Sequence, residues 1–284
     1  MHNTLIEPGE LARLSTTTDI RIFDLRHDLA QHDAGWKAYQ RSRIPGAIFL
    51  DMEKDLAGVR TSTNGRHPLP ERSAFHELMS QAGVGADTQV VAYDDQGGAM
   101  AARLWWMLRW LGFANVAVLN GGWQAWQAAG LPVDDAPIEQ RVLPGAAVKP
   151  LALGQPLAGT VSSRDVVENL DKPSFLVLDA RAQARYLGEV EPLDPVAGHI
   201  PGALNRPYVK NLDAGGRFKS AETLSKEFAC VMGDTPAAEV VHQCGSGITA
   251  CHNLLAMEYA GLSGSRLYPG SWSEWCSDPV RPVA

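Results

Sequence analysis

The residues best equipped to do chemistry lie in one stretch, Val240-Val241-His242-Gln243-Cys244-Gly245-Ser246-Gly247-Ile248-Thr249-Ala250. A β-branched run delivers the chain to one cysteine, two glycines and two hydroxyl side chains. Thr249 to Tyr259 then has helical character, and Gly261 stands where a helix C′ glycine stands. The pattern predicts strand, tight loop, helix, with Cys244 first in the loop. Backbone N–H groups at such a place have no helical partner, and the helix dipole adds partial positive charge. Both favour the thiolate over the thiol, so Cys244 is the expected nucleophile. Gly245 and Gly247 are expected to let the backbone curl round the sulfur by adopting φ > 0. Cys230, Cys251 and Cys276 are expected to be inert core filler. His242 and His252 are expected to be a satisfied strand histidine and a helix-face histidine. A cysteine phosphatase would need an arginine after five intervening residues to hold phosphate. Ala250 stands there, which disfavours that chemistry.

The elements that position this loop come from an ordinary soluble composition. The chain has 284 residues, 45% hydrophobic and 20% charged, with net charge −7. No Lys/Arg-rich run offers a surface to nucleic acid or anionic lipid, so neither is an expected partner. No run reaches the ~18 apolar residues of a membrane span, and Met1–Leu14 does not read as a secretory leader. Four irregularly spaced cysteines do not make a disulfide scaffold, and no ligand spacing suggests a metal. A reducing, cytoplasmic setting is expected.

The chain states the same order of motifs twice, once in each half. Phe23-Asp24-Leu25-Arg26 is answered by Leu178-Asp179-Ala180-Arg181, and Arg43-Ile44-Pro45-Gly46-Ala47 by His199-Ile200-Pro201-Gly202-Ala203. Val90-Val91-Ala92-Tyr93-Asp94 is answered by Val240 to Cys244, and Gly121-Gly122-Trp123 by Gly270-Ser271-Trp272. The spacings agree: 20 residues from Asp24 to Ile44 against 21 from Asp179 to Ile200, and 29 from Asp94 to Trp123 against 28 from Cys244 to Trp272. A period this long is a duplicated domain. Strands alternating with helices predict an α/β fold, each copy a mainly parallel sheet with helices on both faces. A helix is expected over Ser73–Gly83 with Ser73 as N-cap. The expected boundaries are 1–130 for the first domain, 131–159 for a Pro/Ala/Gly-rich linker tying the domains together, and 160–284 for the second. Asp94 stands where the second copy has Cys244. A carboxylate cannot do soft-sulfur chemistry, so the first copy is expected to be catalytically silent and to supply one wall of a ligand cleft.

These motifs, from Ile20 to Trp275, resemble the two-domain rhodanese-like sulfurtransferases, which include thiosulfate and 3-mercaptopyruvate sulfurtransferases. The resemblance implies an inactive N-terminal and an active C-terminal domain, with no cofactor. It implies a Cys244 persulfide that carries sulfur from a small-molecule donor to cyanide, a low-molecular-weight thiol or reduced thioredoxin. The loop residues Gly245, Gly247, Ile248 and Thr249 would face the substrate. Their lack of charge resembles the mercaptopyruvate type rather than the thiosulfate type. Arg185 matches the family's substrate-binding arginine and would take the donor carboxylate. A second arginine is often present in the mercaptopyruvate type, but Asp194 stands at its place, leaving Arg60 or Arg66 as the candidate replacement. His67 matches a histidine the family places near the site, where with Ser246 it would relay a proton. Arg181 is expected to pair with Asp179 or backbone, and Trp36 to line the cleft mouth. The alternatives are a thiosulfate-preferring enzyme, or a non-catalytic module that senses redox state or binds partners.

Overall fold

A computed structural model describes residues 1–16, 19–147 and 149–284. The chain divides into two units, one built of 1–56, 70–157 and 214–217, the other of 57–69, 158–213 and 218–284.

In the first unit five parallel strands lie in the order β1-β5-β4-β2-β3: β1 (Leu5–Ile6), β2 (Ile20–Asp24), β3 (Ile48–Phe49), β4 (Gln89–Tyr93) and β5 (Val116–Leu119). Strands β4 and β5 are buried at every residue, as their unbroken apolar runs dictate for a sheet covered on both faces. Val91, Tyr93, Ala117 and Leu119 meet Leu11, Tyr39, Trp123 and Trp126 on one face. The helix Ala101–Trp110 packs against the same two strands, with Ala101 to Leu108 all buried. The helix expected over Ser73–Gly83 starts earlier than its proposed cap. It runs Arg72–Gln81, with Glu71 at the N-cap, so Ser73 lies inside the first turn rather than ahead of it.

In the second unit the order is β7-β6-β8-β9, again all parallel: β6 (Leu176–Asp179), β7 (Leu204–Asn205), β8 (Val240–Gln243) and β9 (Arg266–Leu267). Period-2 alternation sends Val177 and Val241 toward Val166, Tyr268, Trp272 and Trp275. His242 points the other way, to Met257 of the helix Ala250–Tyr259. Ser162 opens the helix Ser163–Asp171 with a reciprocal capping box to Asp165.

Besides 214–217, which belong to the first unit, two longer segments lie elsewhere than a contiguous division would put them. Residues 57–69 fall between the third and fourth strands of the first unit's sheet in sequence yet belong to the second unit. They are held there by Arg66 N–H donating to Ser273 Oγ at 3.0 Å, and they close on themselves through Gly58 N–H to Pro68 O at 2.8 Å. The stretch read as a linker is strapped to the first unit by backbone bonds: Arg43 and Asp134 exchange both, Gly145 N–H reaches Gln81 O, and Gly154 N–H reaches Leu111 O.

Candidate active site

Strand β8 ends at Gln243, and the loop Cys244–Thr249 connects it to the helix starting at Ala250. Cys244 is 2% exposed, and Gly247 N–H donates to its Sγ at 3.2 Å. Its own N–H donates to Ser271 Oγ at 3.1 Å, and that hydroxyl donates to Tyr268 O at 2.9 Å. Ser271 adopts φ 55°, an unusual conformation for a side-chain-bearing residue. Trp272 N–H and Ser273 N–H donate to the carbonyls of Cys244 and Gly245, each at 3.0 Å. The loop is thereby held from its outer side by the turn Gly270–Ser273.

The two glycines act differently. Gly247 has φ 78°, and a Cβ there would lie 2.3 Å from Pro269 O, so both conformation and space require glycine. Gly245 is not in the left-handed region, contrary to expectation. A Cβ there would meet Arg66 Nη2 at 2.7 Å and Arg185 Nη1 at 3.2 Å. Its bare backbone makes room for two guanidinium groups beside Cys244.

Those cations are woven into a carboxylate network. Arg185 forks onto Glu191, with Nη2 to Oε1 at 2.7 Å and to Oε2 at 2.9 Å, and its Nη2 also reaches Asp194 Oδ2 at 3.2 Å. Arg66 Nη1 pairs with Asp194 Oδ1. Asp194, at the place of the second arginine, thus bridges Arg66 and Arg185. Arg60 is exposed. Burial opposes the charge on Glu191, but donation from Arg185 and from the amides of Leu193 and Asp194 outweighs it and holds the carboxyl below its ordinary range. Arg181 takes Asp179 in a fork, donates to Gly198 O at 2.8 Å and lies 4.7 Å from the Trp272 ring, which makes it structural. Arg26 does the same in the first unit, with Asp24 and the Trp123 ring.

His67 Nδ1 lies 2.8 Å from Ser246 Oγ, with both side chains buried. Ile248 is buried and Thr249 half-buried at the start of the helix. His242 differs from the satisfied histidine expected: Nε2 is 3.1 Å from Met257 Sδ, while Nδ1 and the Gln243 amide have no hydrogen-bond partner among the described residues. Burial drives its pKa down to about 3, so the ring is neutral at physiological pH. His252 is buried, stacked on Phe218 at 4.4 Å. Cys251 and Cys276 are buried, but Cys230 is exposed, because it falls on the outer side of the helix Ala221–Met232. Trp36 packs on Tyr39 and Phe49, each with ring centroids 5.4 Å apart.

The first copy shows what its version of this loop is shaped to hold. Asp94 is fully buried, and its carboxylate accepts from the amides of Gln96, Gly98, Met100 and Ala101 at 2.7–2.8 Å. Burial pushes this carboxyl up, and the four amides work against that shift. The strand–loop–helix turn is an anion nest in that copy, filled by its own side chain.

Comparison with known proteins decides the kinship. The Rhodanese-like domain matches twice, at residues 7–129 and 162–278. This chain belongs to the rhodanese-like family. Among rhodanese-like relatives it is 45% identical to a protein named probable 3-mercaptopyruvate sulfurtransferase from Pseudomonas aeruginosa, over 99% of this chain and 97% of that one. It is 37% identical to the thiosulfate sulfurtransferase of Rattus norvegicus, over 86% and 83%. The structure of 3-mercaptopyruvate sulfurtransferase from Leishmania major superposes with a TM-score of 0.84 at 32% identity, over 99% of this chain and 75% of that one. That of SseA from Escherichia coli gives 0.79 at 32% identity, over 96% and 100%. The chain is therefore a two-copy rhodanese-like protein of sulfurtransferase kinship, and the α/β architecture read from its sequence holds. No helix among the described residues is long and apolar enough to cross a membrane.

Proposed function

We propose that this rhodanese-like enzyme transfers a sulfane sulfur from 3-mercaptopyruvate through a Cys244 persulfide, with the nucleophile in the copy spanning 160–284, and with the copy spanning 1–130 silent in its own loop but lending Arg66 and His67 from the segment 57–69. The observation that carries the reading is the Gly247 amide directed at Cys244 Sγ, inside a loop whose first-copy counterpart cradles a carboxylate with four amides. The Cys244 thiolate attacks the donor sulfur. The Sγ–S bond forms, the donor C–S bond breaks, and its electron pair leaves on the pyruvate enolate. Ser246 Oγ supplies a proton to that enolate and is reprotonated through His67, 2.8 Å away. The persulfide loses its proton and sits as an anion among the loop amides, beside Gly245, Gly247, Ile248 and Thr249. A thiolate or cyanide then removes the outer sulfur and restores the Cys244 thiolate, which predicts ping-pong kinetics. No cofactor takes part. A small thiol or reduced thioredoxin in the cytoplasm is the proposed acceptor. Arg185, with Arg66, receives the donor carboxylate.

Incubation with 3-mercaptopyruvate should raise the intact mass by one sulfur atom, and Cys244→Ser should remove the gain. Normal turnover by the serine variant would overturn the assignment.

A further inference from the structure

The two arginines that face Gly245 are not bare cations. Around them stand two carboxylates, Glu191 and Asp194, so the four side chains together carry no net charge. The carboxylates are tied unequally. Glu191 accepts from Arg185 through Nε and Nη2, approaches Arg181 Nη1 at 3.5 Å, and takes the amides of Leu193 and Asp194 at 3.0 and 3.1 Å. Those bonds make it part of the frame of its own turn. The Asp194 carboxylate is bonded to Arg66 and Arg185, and its side chain is only 3% exposed. It therefore occupies the position between two guanidiniums that a donor carboxylate would need. Both guanidiniums abut Gly245, the residue that follows Cys244 in the chain.

We propose that Asp194 is an internal carboxylate occupying the donor's seat, so that donor binding is an exchange of one carboxylate for another, and that Asp194 thereby sets donor choice. This rests on the sulfur-transfer reading for its substrate class. A monoanionic keto acid replaces Asp194 charge for charge on the two arginines. A dianion such as thiosulfate brings one negative charge more than the cluster was balanced for, beside a displaced Asp194 that remains in a buried site. Apparent affinity for any carboxylate donor is reduced by the fraction of molecules in which Asp194 still holds the seat.

The test is steady-state kinetics of wild type, Asp194→Asn and Asp194→Ala with both donors, alongside calorimetric titration of each with pyruvate, which carries the donor's carboxylate without its sulfur. If the seat is occupied about nine-tenths of the time, both substitutions lower KM for 3-mercaptopyruvate and Kd for pyruvate roughly tenfold. They raise kcat/KM for thiosulfate by a larger factor. A residue that merely holds the arginines in place gives the opposite result: KM and Kd rise, and alanine is worse than asparagine. Unchanged or increased constants in variants with wild-type circular dichroism would overturn the exchange. Sulfur loading of Cys244 read by intact mass separates the two readings. A wild type that takes sulfur from neither donor refutes sulfur transfer, while the pyruvate titration still decides whether Asp194 holds the seat.

Discussion

Cys244 owes its place to residues that do no chemistry themselves. Ser271 receives its amide, Gly247 supplies a donor to its sulfur, and the Trp272 and Ser273 amides fix the carbonyls that follow. Gly247→Ala should destabilise the protein by about 2 kcal/mol or more in urea melts, because the substituted residue keeps a left-handed φ and its Cβ meets Pro269 O. Arg185→Ala should raise KM for 3-mercaptopyruvate by roughly tenfold or more with a smaller change in kcat, the mark of a lost charge-assisted contact made in ground and transition state alike. His242 gives a pH signature. Its folded pKa of about 3 lies below the unfolded value, so the unfolded chain binds the proton more readily in acid. Its contribution is whole above the unfolded pKa of about 6.5 and is lost as pH falls toward the folded value. Unfolding free energy should drop by about 2 kcal/mol from pH 7 to pH 5 on this account, and His242→Leu should flatten that part of the profile.

At the scale of elements, the strand–loop–helix turn directs amides at the side chain that follows its strand, four at Asp94 in the first copy and Gly247 N–H at Cys244 in the second. In the first, Asp94→Ala would leave four amides, three of them buried, without their acceptor. The expected cost is about 3 kcal/mol or more, read as a lower thermal midpoint. In the second, the loop between strand and helix is one residue shorter, and the Gly247 amide is directed at Cys244 Sγ. Gly245→Ala separates the two glycines by readout. The atoms in its way are the ends of flexible arginines rather than backbone, so its effect should fall on donor KM more than on stability.

Across the whole molecule, much was legible in the amino-acid order. The duplicated motifs, the parallel α/β class and the strand–loop–helix setting of Cys244 all follow from hydrophobic period, β-branching and glycine placement, which act over a few residues and so leave a local trace. Asp94 in the place of Cys244 is equally local, a difference of residue type at one register position. The arrangement around the sulfur is another matter. His67 meets Ser246 across 179 residues, and Arg66 meets Asp194 across 128. No periodicity encodes such separations. Residues 57–69 had to be folded into the second unit before either contact existed. Local sequence marks Gly245 only as a conformational glycine and Asp194 only as the absence of an arginine; the fold sets two guanidiniums against the first and places the second between them. The sequence alone determined which residue is the candidate nucleophile and what backbone turn carries it, because those depend on neighbours in the chain. Only the tertiary structure decided how charge is balanced beside it, because that balance is set by side chains brought together from distant segments.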